Sequence, residues 1–150
     1  MISYNNTFKD NVLDSLNKLL DDEFTGIPVY YDQEFHVRGN KFFVIQPQTD
    51  ELVEQRVSSD VREYTVLIRL FRKAGVDFRK ETEIDPVTIT IERLKWLIAN
   101  NSDYSPSSTY KWHDGRITLI EYQVDNEDAP EYGITDVTFA CVVEEVLSWK

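Results

Sequence analysis

The sequence predicts an α+β fold in which two helices pack on one face of a mainly antiparallel sheet, as a two-layer sandwich. Three observations lead to this fold class. A helical apolar pattern opens the chain, several runs of period two follow, and a second helical pattern separates two groups of these runs. Because strands come in runs and do not alternate with helices, parallel crossover units are disfavoured. The length of 150 residues fits a single domain, residues 1–150.

The first helix is predicted over about residues 7–24. A side-chain oxygen of Asn6 or Thr7 can cap its start, and Gly26 and Pro28 end it. Its apolar residues recur at three- and four-residue steps, with polar residues between them: Phe8, Val12, Leu16, Leu19, Leu20 and Phe24.

The next part of the chain predicts three strands and one long connection. Residues 27–31 form a short edge strand, because Pro28 lacks a ladder donor. Gly39-Asn40 predicts a hairpin turn before the apolar strand 42–46. Residues 48–59 are mostly polar and predict a projecting loop or arm. The long strand that follows places alternate residues on one face: Tyr64, Val66, Ile68 and Leu70.

The second half predicts a helix and two closing strands. Residues 76–85 are charged and predict irregular structure, and a helix then runs from the region of Pro86 to Asn100-Asn101. The pattern does not fix the first residue of this helix to within several positions, because the segment 87–91 alternates like a strand. Asp114-Gly115 predicts a two-residue hairpin turn leading into a strand at 116–124. After an acidic loop, the closing strand turns alternate residues to one face: Val137, Phe139, Cys141 and Val143.

Charge and composition disfavour several classes of protein. The chain has 27 acidic and 16 basic residues, a formal charge of −11, which opposes binding to nucleic acid or anionic lipid. No apolar run approaches the roughly 20 residues of a membrane-spanning helix, and the N-terminal residues lack the basic start of a secretory signal. We expect no membrane partner and no secretion. The single cysteine, Cys141, cannot form an internal disulfide and is expected to act as a small buried hydrophobe.

No motif predicts catalysis, a metal or a cofactor. His36 and His113 lie 77 positions apart and form no zinc-binding pattern. The acidic loop at 125–131 lacks the glycine and the distant carboxylate of a calcium loop. The chain also lacks glycine-rich nucleotide motifs and any lysine preceded at two residues by an acid, as a phage nuclease would require. We therefore predict a protein that is not an enzyme, with no catalytic, metal or cofactor residues.

Charge is distributed unevenly along the chain. Residues 117–149 contain eight acidic and no basic residues, whereas basic residues outnumber acidic ones between positions 60 and 80. This pattern is typical of ordinary solubilising charge. It also fits a head-to-tail contact in which the acidic surface of one copy meets the basic surface of the next and the rotation closes a ring.

Six segments, taken in order, carry a family resemblance: the amphipathic N-terminal helix, IPVYY, FFVIQP, YTVLIRLF, RLKWLIANN and DVTFACVVEEVL. Their order resembles that of the tail-terminator and tail-completion proteins of long-tailed bacteriophages, over nearly the whole chain. This family has no invariant catalytic signature, so the resemblance lies in element order, size and strand character.

The resemblance implies a structural virion protein, assembled in the host cytoplasm, that forms a ring, commonly a hexamer. The ring would cap the tail tube at its head-proximal end and join it to the neck or connector proteins. DNA would pass through its channel without specific binding, since an acidic wall repels phosphate. Loops and the basic strand are then the candidate interface with the tail tube, the connector or neighbouring copies: Asp50, Glu51, Leu52, Arg69, Arg72, Lys73, Asp125, Glu127, Asp128 and Glu131.

Two other classes of function stay open from the sequence. An acidic protein can mimic DNA and inhibit a DNA-binding enzyme, which predicts competition with DNA that weakens as salt rises. The basic residues between positions 60 and 80 argue against this alternative. An enzyme using His36 or His113 would lose its activity on alanine substitution at either position, but no motif supports it.

Overall fold

The computed structural model describes residues 1–31, 41–73, 81–107, 110–124 and 132–146. A π-helical segment, Phe8–Leu13, continues directly into helix α1, Asp14–Glu23, and helix α2 covers Glu81–Asn100. The strands are β1 Val29–Tyr31, β2 Lys41–Gln55, β3 Ser59–Lys73, β4 His113–Val124 and β5 Tyr132–Val146. This content confirms the predicted α+β class.

The five strands of the described residues form one mixed sheet in the order β1-β2-β3-β5-β4. All neighbours are antiparallel except β1 and β2, which are parallel. The two long central strands, β3 and β5, pair without a register shift from Ser59↔Val146 to Lys73↔Tyr132. The edges of the sheet are therefore β1 with the unpaired part of β2 on one side and β4 on the other.

Both helices bury their apolar stripes against the same face of the sheet, as the sequence predicts. The period of 3.6 residues puts every third or fourth side chain on that stripe, and the period of two supplies the opposing strand positions. The shared core contains residues of all these elements: Leu16 and Leu20 of α1, Ile91, Leu94 and Ile98 of α2, and Ile45, Ile68, Val137 and Phe139 of the sheet.

The opposite face of the sheet carries a second, smaller buried cluster. Phe42 and Phe71 stack with ring centroids 4.9 Å apart, and Val44 and Ile134 complete the group. These residues alternate along their strands with members of the main core. The sheet is thus buried on both faces near β1 and becomes exposed toward the other end of β2.

Two predictions for the first half of the sheet are wrong. The Gly39-Asn40 hairpin is excluded because β1 and β2 are parallel, and parallel strands cannot be joined by a tight turn. The turn residues themselves lie outside the described residues. The predicted loop at 48–59 is mostly strand, since β2 runs to Gln55 and β3 begins at Ser59. Cross-strand pairing overrides the polar composition there, and only residues 56–58 form the turn.

Two predictions for the second half are also wrong. The predicted irregular segment 76–85 is helical from Glu81 onward, so Pro86 lies inside α2; residues 76–80 lie outside the described part of the chain. Asp114-Gly115 does not turn a hairpin but forms a bulge within β4, where the register shifts between His113 and Arg116. Asp114 does adopt the positive φ of 51° that the dipeptide suggests.

This bulge packs the start of β4 against the loop after α2. The Gly115 N–H donates to the Ser102 carbonyl oxygen at 2.7 Å, and the Trp112 Nε1–H donates to the Asn101 carbonyl oxygen at 3.0 Å. Trp112 is fully buried and contacts Phe139 edge to face. Gly115 is needed here because an added Cβ would lie 2.6 Å from Trp112 Nε1.

The two residues predicted to cap the first helix make different hydrogen bonds. Asn6 Oδ1 accepts the Lys9 N–H at 3.3 Å, whereas the Thr7 hydroxyl donates to Glu145 Oε1 of β5 at 3.1 Å. Farther along, burial opposes ionisation of Asp14, but hydrogen bonds from Lys9 and from the Tyr31 hydroxyl outweigh it and lower the pKa of that carboxyl.

Candidate interaction surfaces

The first candidate surface is the projecting end of the sheet, which we call the arm, residues 47–58. Residues 47–55 of β2 are all exposed, and β1 pairs only with Phe43–Ile45, so the outer edge of this part of β2 has no strand partner among the described residues. Leu52, Val53 and Val57 expose 46%, 57% and 98% of their surface. The arm thus combines an open strand edge with apolar side chains.

At the base of the arm lies an acidic cavity of about 570 Å³, formed by Asp50, Asp60, Arg62 and Glu145 with the N-terminal residues. Arg62 Nη1 donates to Asp50 Oδ1 at 3.0 Å. Arg62 Nη2 lies 3.7 Å from Asp60 Oδ2, and Nε lies 3.7 Å from Glu145 Oε2. The hydrogen bond with Asp50 raises the pKa of Arg62, with smaller contributions from the neighbouring carboxylates.

The second candidate surface is a groove of about 710 Å³ between α2 and the edge strand β4. Trp96 of α2 and Leu119 of β4 line it and expose 69% and 51% of their surface. Lys95 and Arg116 also line it, although Lys95 pairs with Glu92. The groove lies at the β4 edge of the sheet, and the arm lies toward the opposite edge, on β2.

The backbone edge of β4 is irregular. Its pairing with β5 shifts register three times along the strand. Bulges of this kind bend an edge strand and make it a poor template for adding another strand. If another molecule binds at this edge, side chains of the groove and not continued backbone pairing would supply the contacts.

The predicted interface residues divide between separate parts of the sheet. Asp50, Glu51 and Leu52 lie in the arm. Asp50 pairs with Tyr64 of β3, and Arg69 lies five residues farther along β3, which is roughly 17 Å from Tyr64 at the usual strand rise. Arg69 Nε donates to Asp136 Oδ1 at 2.9 Å, and Nη2 donates to Oδ2 at 3.3 Å. These two residues are exposed by only 23% and 13% of their side chains, so Arg69 is engaged within the subunit.

The other two basic residues of the predicted interface lie at the end of β3. Arg72 lies in register with Lys41 of β2, and Lys73 ends β3. Burial, followed by the nearby charges of Arg72 and Arg93, lowers the pKa of Lys41, whose Nζ donates to Thr90 Oγ1. The other predicted contacts lie outside the described residues: Asp125, Glu127, Asp128 and Glu131.

The described residues offer little for catalysis. His113 is exposed, with Nδ1 3.5 Å from Asp103 Oδ1, and His36 lies outside the described ranges. Cys141 is fully buried in the main core, as predicted, and burial raises the pKa of its thiol. In the part of the chain that the structure describes, no three His, Cys, Asp or Glu side chains are placed to hold a metal ion.

Neither helix, over its described residues, has the length and hydropathy required to cross a bilayer.

Sequence reasoning missed two features of these surfaces. The exposed Trp96 lies two residues from the buried Leu94, a step of about 200° around a helix, and this spacing places it on the solvent side. The pairing of Asp60 with Glu145 depends on the register of β3 and β5, which no local sequence signal specifies. A helical wheel could have found the first, but nothing in the sequence could have found the second.

Comparisons with known proteins do not place the chain in a family. No protein-family model matches it, and a search of curated proteins finds no match.

Proposed function

We propose that this protein is a structural subunit that assembles with copies of itself into a ring, and that the ring terminates the tail tube of a bacteriophage and joins it to the neck. The observation that carries the assembly part is the pair of unlike exposed surfaces on opposite sides of the sheet, the arm and the groove. Two different surfaces on one subunit support a head-to-tail contact, which forms a ring when the rotation closes. The resemblance in element order supplies the tail-terminator part.

The polarity of the two surfaces supports the same proposal. The arm offers exposed Leu52 and Val53, and the groove offers Trp96, an amino acid type enriched in the energetically dominant centres of interfaces. The arm carries three acidic residues and one basic residue, Asp50, Glu51, Glu54 and Arg56, whereas the groove is lined by two basic residues and one acidic residue, Lys95, Arg116 and Glu92. The two surfaces therefore differ in net charge, even though several of these groups are paired within the subunit. Opposite charge at the rims of two surfaces guides association and orientation.

The alternative of a DNA mimic has less support. Mimicry requires carboxylates along one surface without neutralising partners, whereas Asp136 is bound by Arg69 and Asp50 by Arg62 across strands. Glu63 is likewise paired with Arg116 at 3.1 Å. These pairs interrupt the negative surface that a basic protein would recognise.

The proposal is tested by measuring assembly of the purified protein with light scattering and electron microscopy, alone and with phage tail tubes. We expect rings, and we expect Trp96→Ala to weaken association by about thirtyfold, the usual effect of removing a central interface aromatic. Ile89→Ala is the matched control, because Ile89 is 65% exposed on the same helix but does not line the groove. A strict monomer with tubes present, together with tubes of normal length without this protein, would refute the proposal. Competition with DNA for a basic protein would favour the mimic.

A further inference from the structure

The acidic cavity at the base of the arm contains more negative than positive charge. Three carboxylates, from Asp50, Asp60 and Glu145, surround the single guanidinium of Arg62, which leaves an excess of two negative charges. Only Asp50 lies within hydrogen-bond distance of Arg62, because the other two contacts are 3.7 Å long. One guanidinium therefore does not satisfy this group of carboxylates.

Asp60 is the least satisfied member of the cavity. The residue is only 8% exposed, and its Oδ1 is buried without a hydrogen-bond partner. Its direct cross-strand neighbour on β5 is Glu145, a like charge, and such pairs destabilise a sheet. A buried carboxylate oxygen without a donor is unfavourable and uncommon in folded proteins. A donor that also carries positive charge would remove both defects at once.

We propose that the acidic cavity binds a cationic nitrogen group, a guanidinium or a primary ammonium, which donates hydrogen bonds to Asp60 Oδ1 and balances the charge of Glu145. This site goes beyond the proposed ring assembly and does not depend on it. The exposed residues Tyr4, Asn5 and Asn6 line the same cavity.

The lining of the cavity favours an organic cation over a metal ion. A divalent metal needs several oxygens converging on one point, and the described residues contain no such arrangement. Arg62 shows the fit of such a group, because its guanidinium already lies among the three carboxylates. Tyr4 and Phe8 also line the cavity, and aromatic faces attract guanidinium and ammonium groups.

The test uses methylguanidinium and ethylammonium chloride, titrated into the full chain at constant ionic strength and followed by calorimetry and by NMR chemical shifts. Tetramethylammonium is the control ligand, since it carries the charge without N–H donors. We expect saturable binding of the first two and none of the third. Asp60→Asn is expected to weaken binding by about tenfold or more, the effect of losing one charge-assisted hydrogen bond.

Glu51→Gln is the matched control variant. It removes the same charge from the neighbouring position of the arm, but alternation turns residue 51 away from Asp50 and the cavity, and Glu51 does not line it. Its binding should equal that of the unmodified protein. If Asp60→Asn does not fold, Glu145→Gln takes its place. Absence of saturable binding, or equal binding to Asp60→Asn and Glu51→Gln, overturns the proposal.

The same variants distinguish two sources of the cation. If the group is a basic side chain of a second copy, Asp60→Asn lowers self-association and methylguanidinium competes with it. If the group is a free organic cation, self-association is the same with and without the substitution while methylguanidinium still binds. Either result supports the site, and only the second leaves the ring contact elsewhere.

Discussion

Replacing Gly115 by alanine is expected to destabilise the protein by about 2 kcal/mol, within the usual range for overpacking a well-packed interior. The new Cβ would lie 2.6 Å from Trp112 Nε1 and 3.3 Å from the Ser102 carbonyl oxygen, where ordinary contacts begin at 3.4 Å. Trp112 cannot retreat freely, because it is fully buried between Tyr104 and Phe139. Any shift of the ring also weakens its hydrogen bond to Asn101.

The opposing effect is smaller. Alanine reduces the conformational freedom of the unfolded chain and contributes about 0.4–1 kcal/mol of stability where the native backbone accepts it. A net loss of about 2 kcal/mol should lower the melting temperature by about 4–8 °C, because each kcal/mol shifts it by about 2–4 °C in a domain of this size. Urea unfolding followed by circular dichroism measures the free-energy change directly.

Gly26→Ala is the control for this prediction, because no atom lies within 4 Å of an added Cβ there, and it should be neutral or slightly stabilising. A second background tests the mechanism. In Trp112→Phe the indole nitrogen is absent, so Gly115→Ala should cost about 1 kcal/mol less than in the unmodified protein. Equal costs in the two backgrounds, or no cost at all, would refute the steric argument.

Two further predictions concern charged groups. Asp136→Ala should reduce the free energy of unfolding by about 1–3 kcal/mol, because it leaves the mostly buried guanidinium of Arg69 without its partner. The control Glu51→Ala, at an exposed site, should change this free energy by less than about 0.5 kcal/mol. Equal losses of stability in the two variants would contradict the pairing. The lowered pKa of Asp14 means that ionised Asp14 stabilises the fold above the pKa of the unfolded carboxyl. That contribution is lost as pH falls through the lower folded pKa, so urea midpoints of Asp14→Asn and the unmodified protein should converge in acid, and a constant difference would exclude the mechanism.

The fold could be predicted where one local pattern decides the outcome. Tyr64, Val66, Ile68 and Leu70 share a buried face because β3 lies centrally in the sheet and one register suffices to explain its alternation. The same holds for Val137, Phe139, Cys141 and Val143 on β5. The predicted edge position of the short strand is confirmed as well, since β1 has only one neighbour in the described sheet.

Features that depend on a partner elsewhere in the chain could not be predicted. Residues 48–55 read as a loop because they are polar, and they form strand only because β3 supplies the pairing from Asp60 to Val66. Asp114-Gly115 carries the same positive φ in a hairpin turn or a bulge, so the dipeptide cannot distinguish them. The two candidate surfaces could not be predicted for the same reason, because the positions of the arm and the groove depend on where neighbouring strands end.

The sequence suggests that its acidic and basic parts meet between copies, but in the folded subunit they pair with each other. Acidic β5 and basic β3 are adjacent strands, so Arg69 meets Asp136 within one subunit and does not depend on another copy for neutralisation. Pairing is less complete below the arm, where Asp60 Oδ1 has no hydrogen-bond partner and Glu145 Oε2 lies 3.7 Å from Arg62 Nε. If a basic group of a second copy is the cation that enters this cavity, Asp60→Asn weakens both cation binding and self-association, and this variant then connects assembly with local electrostatics.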